Sequence, residues 1–218
     1  MTEQQVGGAH RARPRNARPR HERSGPRVGP WLVVGLVVIA LAAAGVVGVR
    51  WWQDRSNPAA IVGERSTAFP AIDKSALDPT QAKIVAVTAQ EFRSPGSGGK
   101  YAEGVSEPWC ADFVSWVMRE AGVPLANPNS GSWRIPGVYT LQEYYAGAGR
   151  FAPIDGYQPR TGDVLMYDST SPFGQHTNIV LKSGAGTVTT IGGNEFGEVS
   201  IHTFALAQVP GIVGFGRL

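Results

Sequence analysis

The chain has 218 residues, a net charge of +3 and a single cysteine, Cys110. One cysteine excludes an intrachain disulfide and a zinc site built from several cysteines. Residues 1–55 carry nine arginines against three acidic residues, a net charge of +6, whereas residues 56–218 carry a net charge of −3. The basic isoelectric point therefore belongs to the N-terminal part, and we expect no nucleic acid partner for the folded part.

The N-terminal part has the pattern of a membrane anchor. Residues 1–27 contain seven arginines and three prolines with almost nothing apolar to bury, which predicts a disordered tail. Residues 31–49 are nineteen uncharged residues, and as a helix they would be roughly 28 Å long, close to the thickness of a bilayer core. Because arginines precede this run and tryptophans flank it, we expect a single, uncleaved transmembrane helix in the lipid bilayer of a cell membrane, with a cytoplasmic N-terminus. The rest of the chain would then be extracytoplasmic.

Residues 50–77 show no persistent periodicity and are interrupted by prolines and glycine, which predicts an extracytoplasmic linker. A folded domain is expected over residues 78–218. Asp78-Pro79 is typical of a helix start, and the apolar stripe that follows ends before Ser94. Two more helices are predicted, one that begins near Pro108 and stops at Gly122, and one over residues 138–146.

From Pro159 the pattern changes to short apolar segments separated by turns, which predicts strands. Helices followed by short strands indicate an α+β domain in which N-terminal helices pack on a small antiparallel sheet. The five predicted strands are Val164–Tyr167, His176–Leu181, Thr187–Ile191, Val199–Phe204 and Ile212–Phe215.

Cys110 is predicted in the first turn of its helix. Unpaired N–H groups and the helix dipole favour a thiolate there, which is where a nucleophilic cysteine would be placed. The alternative is that Cys110 is a small buried hydrophobic residue without a chemical role.

A nucleophilic cysteine needs an imidazole base and a polar group that orients the imidazole. Two histidines lie in the predicted cytoplasmic tail, which leaves His176 and His202. His176 is favoured because it opens a strand directly after a loop, where catalytic groups are usually held. Asn194, at the end of a neighbouring strand, is the first candidate for the orienting group and Glu195 is the alternative. Asn194 could instead only support the Gly-Gly-Asn turn.

Four segments, in this order, resemble the CHAP family of cysteine- and histidine-dependent amidohydrolases and peptidases: Trp109–Trp116, Thr161–Leu165, His176 and Gly193–Asn194. The resemblance covers about residues 80–218 and implies a small papain-like α+β fold. It also implies that Cys110 is the nucleophile, His176 the base and Asn194 a polar partner. The chain departs from many relatives at Gln175, where they have glycine, and at Gly192, where they have glutamate.

The resemblance implies a bacterial peptidoglycan hydrolase that faces the cell wall and cuts one of its amide bonds, either as an N-acetylmuramoyl-L-alanine amidase or as an endopeptidase. No metal or organic cofactor is expected. Trp109, Trp133 and Tyr144 are candidate substrate-binding residues, although tyrosines in this region could simply belong to the core or its rim. Two alternatives stay open: a catalytically silent module that binds the cell wall, and acyl transfer (transpeptidation) with the same residues.

Overall fold

The computed structural model describes residues 62–218. The predicted tail at residues 1–27, the predicted transmembrane helix at residues 31–49 and the first part of the predicted linker lie outside these residues. Within residues 62–218, no helix is both long enough and apolar enough to cross a bilayer.

Within residues 62–218, four α-helices precede most of the strands, and three of them are helices that the sequence predicts. Helix α1 has the predicted N-cap: the Asp78 side chain accepts hydrogen bonds from the backbone N–H groups of Thr80 and Gln81, and the Gln81 side chain completes a capping box. The one-turn helix α2 is not among the predicted helices. The helices are α1 (Pro79–Arg93), α2 (Gly98–Tyr101), α3 (Cys110–Glu120) and α4 (Val138–Gly147).

The strands form one antiparallel sheet of seven strands in the order β1-β6-β5-β4-β3-β7-β2. The mixed, antiparallel α+β architecture predicted from the sequence is confirmed. The strands are β1 (Glu64–Arg65), β2 (Phe151–Pro153), β3 (Val164–Tyr167), β4 (His176–Gly184), β5 (Thr187–Glu195), β6 (Glu198–Ala205) and β7 (Ile212–Gly216).

The folded part begins earlier than the predicted boundary at residue 78. Strand β1 pairs with β6, with Glu64 opposite Thr203 and Arg65 opposite His202. Phe69 then packs against the main core. Two-residue strands carry little hydrophobic periodicity, so the sequence pattern could not distinguish this edge strand from a linker. The prediction that all of residues 50–77 form a linker is therefore wrong for the segment from β1 onward.

Helix α3 lies at the centre of the domain. It packs against β4 and β5 of the sheet and against α1, α2 and α4. Eight of its eleven residues are buried, so it is enclosed on more sides than the half-buried helix that the apolar stripe predicts. Its end is as expected: Gly122 adopts φ +83°, and Val123 N–H donates to the Met118 carbonyl in a Schellman arrangement.

Candidate active site

Cys110 is the first residue of α3, and its side chain is buried with 5 % exposure. At this position the backbone N–H has no partner within the helix, because the first four N–H groups of any helix lack a carbonyl four residues earlier. The thiol therefore lies beside free donors and at the positive end of the helix dipole. A nucleophilic cysteine is commonly held in such a place.

Aromatic packing fixes the start of α3. Trp109 stacks on Tyr101, with ring centroids 5.1 Å apart, and the Tyr101 hydroxyl donates to the buried Glu91 at 2.6 Å. Gly98 is required here, because a Cβ at this position would come within 2.5 Å of the Trp109 ring. These contacts link α1, α2 and α3, and they hold Cys110 in a defined place.

His176 opens β4 and is 3 % exposed. Burial lowers the pKa of its imidazole, but hydrogen bonds with Cys110 and Glu195, together with the negative charges of these two groups, outweigh burial and raise the pKa to about 9. The ring is therefore an imidazolium at neutral pH. Its Nε2 faces Glu195 Oε1 at 3.2 Å, which leaves Nδ1 for Cys110. The structure thus brings together the two residues that the sequence singles out as nucleophile and base.

Glu195 is the orienting group that the geometry provides. Its carboxylate is 1 % exposed and is surrounded by donors. Oε1 accepts from His176 Nε2 at 3.2 Å and from Asn178 Nδ2 at 3.3 Å, and Oε2 accepts from the Ser200 hydroxyl. A carboxylate held in this way fixes the tautomer of the imidazole and stabilises its protonated form.

Two consecutive glycines make this arrangement possible. A Cβ on Gly192 would come within 2.2 Å of Glu195 Oε1, and a Cβ on Gly193 would come within 2.5 Å of Phe113 and Trp109. The Glu195 carboxylate therefore occupies the space that a side chain at position 192 would need. The resemblance leads us to expect a glutamate at position 192, and the space it would need is filled by the carboxylate of Glu195, three residues further along the chain.

Asn194 points elsewhere. It adopts φ +59° near the end of β5 and lines a groove of about 470 Å³ together with Glu107 and Trp109. Within residues 62–218 its side chain makes no hydrogen bond to His176, whereas Glu195 does. The geometry thus favours the alternative, Glu195, over Asn194 as the orienting group, and it leaves Asn194 on the groove that Trp109 lines.

Of the three candidate substrate-binding residues, only Trp109 adjoins Cys110. Trp133 lies 4.0 Å from the Arg119 guanidinium, near the C-terminal end of α3 and about three turns from Cys110. Tyr144 accepts a hydrogen bond from Arg150 at 2.6 Å and lines a separate cavity of about 400 Å³ that contains neither Cys110 nor His176. The structure does not bring Trp133 or Tyr144 to the nucleophile.

An aromatic cover lies over the imidazole. Phe173 stacks on His176 with ring centroids 4.7 Å apart. Phe196, which is 55 % exposed, packs on the other side of Phe173 at 5.9 Å. This cover shields the His176–Glu195 pair from water and strengthens their electrostatic interaction.

Sequence reasoning missed the contacts of three polar residues at the site, Asn178, Ser200 and His202, of which only His202 was considered, and then as a base. All three are at most 1 % exposed. One signal was available: Asn178, Ser200 and His202 are polar residues in segments predicted as buried strands, where polar side chains need partners. The distance between these strands in the sequence concealed the common partner, Glu195.

Residues 101–194 match the family model described as CHAP domain. No curated protein matches the chain. The matched region contains Cys110 and His176 and ends one residue before Glu195.

Proposed function

We propose that the protein is a cysteine hydrolase that cleaves an amide bond of peptidoglycan, and the premise is the match of residues 101–194 to the CHAP domain model. One observation carries the proposal. A cysteine at a helix start faces an imidazole whose other nitrogen lies 3.2 Å from a buried carboxylate. This is the set of nucleophile, base and orienting group that acyl transfer through a thioester needs.

In the first half of the reaction, the Cys110 thiolate attacks the amide carbonyl. The backbone N–H of Cys110 lies at the helix start and donates to the oxyanion that develops. The His176 imidazolium gives its Nδ1 proton to the leaving amine, while Glu195 stabilises the ring. In the second half, neutral His176 takes a proton from water, the resulting hydroxide attacks the thioester, and the thiolate is released.

The substrate would lie in the groove lined by Trp109, Asn194 and Glu107. Trp109, which lines this groove, directly precedes Cys110 in the chain, whereas neither chain neighbour of Cys110 lines the cavity at Tyr144. Trp109 offers an apolar wall, and the Asn194 amide can both donate to and accept from a peptide backbone. Whether the bond that is cut is the sugar–alanine amide or a peptide bond depends on which part of the wall this groove binds.

We also propose that residues 31–49 anchor the protein in the cell membrane with the hydrolase domain facing the wall. The support is the nineteen-residue uncharged run and the arginines before it. Membrane fractionation of cells that produce the full chain, followed by protease treatment of spheroplasts, tests this topology. Loss of the C-terminal domain to external protease, with residues 1–27 protected, is expected. A domain that stays protected would contradict the topology.

The activity is tested by incubating the full chain with purified peptidoglycan and identifying released fragments by mass spectrometry. The wild type is expected to release fragments with a new amine and a new carboxyl end, and Cys110→Ala none. Thr203→Val, a substitution on β6 outside the Glu195 contacts, serves as a folding control that keeps activity. Identical fragment profiles for the wild type and Cys110→Ala would reject the proposal.

The same experiment separates the alternatives. The absence of a glutamate at position 192 is the reason to consider a catalytically silent module that binds the wall. Glu195 supplies a carboxylate at His176 instead, which weakens that reason. Transpeptidation would appear as fragments joined to an added amine acceptor, whereas hydrolysis gives free carboxyl ends.

A further inference from the structure

A second buried histidine lies behind the site. His202 on β6 is fully buried, and its Nε2 lies 3.1 Å from Ser200 Oγ and 3.6 Å from Glu195 Oε2. Ser200 Oγ in turn contacts Glu195 Oε2. Glu195 therefore stands between two histidines, His176 on one oxygen and the Ser200–His202 pair on the other.

The direction of each hydrogen bond follows from chemistry. An ionised Glu195 can only accept, so the Ser200 hydroxyl donates to it, and Ser200 Oγ must then accept from His202 Nε2–H. Burial lowers the pKa of His202, so its ring is neutral and carries its single proton on Nε2. Its Nδ1 carries a lone pair that has no hydrogen-bond partner in the part of the chain that the structure describes.

Glu195 needs this support because its backbone does not fix its side chain. The pairing of β5 with β6 is irregular between Gly192 and Glu195, and the flanking residues Asn194 and Phe196 have positive φ angles. A side chain at such an irregular strand end can adopt several orientations. Hydrogen bonds from β6 on one side and from Asn178 on the other select one direction.

We propose that Ser200 and His202 are positioning residues, which hold the Glu195 carboxylate so that its Oε1 faces His176 Nε2. The chain of hydrogen bonds runs from His202 Nε2–H through the Ser200 hydroxyl to Glu195 and ends at His176. The inference rests on the proposed function, because it assigns these residues to the base of that reaction. Neither residue is expected to touch the substrate.

The surroundings of His202 leave few other charges to consider. Arg65 lies opposite His202 on β1 and forms an ion pair with the exposed Glu198. Glu195 raises the pKa of His202, whereas Arg65 and His176 lower it. Phe173 packs edge-on against the His202 ring, with ring centroids 5.7 Å apart.

The test uses a matched pair of substitutions at one position. His202→Gln carries an amide N–H near the place of Nε2, whereas the amide of His202→Asn is one carbon shorter and does not reach Ser200. Ser200→Ala removes the central hydroxyl. Thr203→Val is the control, because Thr203 is the neighbouring residue on β6 and bonds instead to Thr189, at 2.9 Å.

The readout is the rate at which iodoacetamide alkylates Cys110 in the full chain, measured from about pH 5 to about pH 11 by intact mass. Cys110 is the only cysteine, so the label is specific, and the reaction needs no substrate. The wild-type profile is expected to show an inflection near pH 9, where His176 loses its proton. This inflection should fall by about one pH unit in Ser200→Ala and His202→Asn, and by less than half as much in His202→Gln.

Equal inflections in His202→Gln and His202→Asn would overturn the proposal, even if both variants unfold more easily than the wild type. If Ser200→Ala does not fold, the comparison of His202→Gln with His202→Asn alone tests the proposal. If the wild type cleaves no peptidoglycan but the inflections move as expected, the proposed function fails while the positioning role stands.

Discussion

The sharpest test of the site is the exchange of Glu195 for glutamine. The substitution keeps the size of the side chain and an oxygen that can accept from His176 Nε2, but it removes the negative charge. The comparison is Asn194→Gly, which removes the other candidate for the orienting group. Glycine is chosen over alanine because position 194 has φ +59°, where glycine adds no strain.

The magnitude follows from the pKa of His176, which lies at about 9 instead of 6.5 because of Cys110 and Glu195. A charge of opposite sign in direct contact typically shifts a pKa by about 1 to 3 units. Loss of the Glu195 charge should therefore lower the pKa of His176 by at least about one unit, equal to about 1.4 kcal/mol less stabilisation of the imidazolium. We expect at least about a tenfold loss of kcat, since the imidazolium is the proton donor to the leaving amine.

The assay is the pH dependence of Cys110 alkylation, supported by turnover of peptidoglycan over the same pH range. In Glu195→Gln the inflection should move clearly below pH 9, while in Asn194→Gly it should stay near the wild-type value. Asn194→Gly should instead weaken substrate binding, because Asn194 lines the groove. An unchanged inflection in Glu195→Gln, or an equal shift in Asn194→Gly, would refute the assignment of Glu195 as the orienting group.

Three further predictions concern stability and fit. The raised pKa of His176 adds stability that is fully present below pH 6.5 and is lost as the pH rises through about 9. The free energy of unfolding, measured in urea, should therefore fall between these two pH values, and it should fall less in Cys110→Ala. A free energy that does not change with pH would contradict the prediction. Gly192→Ala should displace the Glu195 carboxylate, because the new Cβ would lie 2.2 Å from Oε1. We expect kcat to fall at least about tenfold. Gly184→Ala is the matched control, because the space at its Cβ is open, and it should keep activity. Arg134→Met should lower the free energy of unfolding by about 3 kcal/mol, because it leaves the fully buried Asp112 without its partner at 2.7 Å. Adding Asp112→Asn should recover part of this loss. Additive effects of the two substitutions would argue against a stabilising Arg134–Asp112 ion pair.

The sequence by itself determined the order of the longer elements and the place of Cys110 at the start of a helix. The apolar stripe after Asp78-Pro79, the block around Cys110 and the stop at Gly122 each depend on neighbouring residues, so local pattern is sufficient to recognise them. The choice of His176 over His202 also followed from local position, since His176 opens its strand directly after a loop.

Only the tertiary structure decided which group orients the imidazole. Side chains alternate regularly along a strand, but the irregular pairing between Gly192 and Glu195 interrupts the alternation and reverses which residue faces inward. Asn194 therefore points to the groove and Glu195 to His176. The roles of Ser200 and His202 were hidden for the same kind of reason, because their common partner lies on another strand and no local pattern records a contact across a sheet.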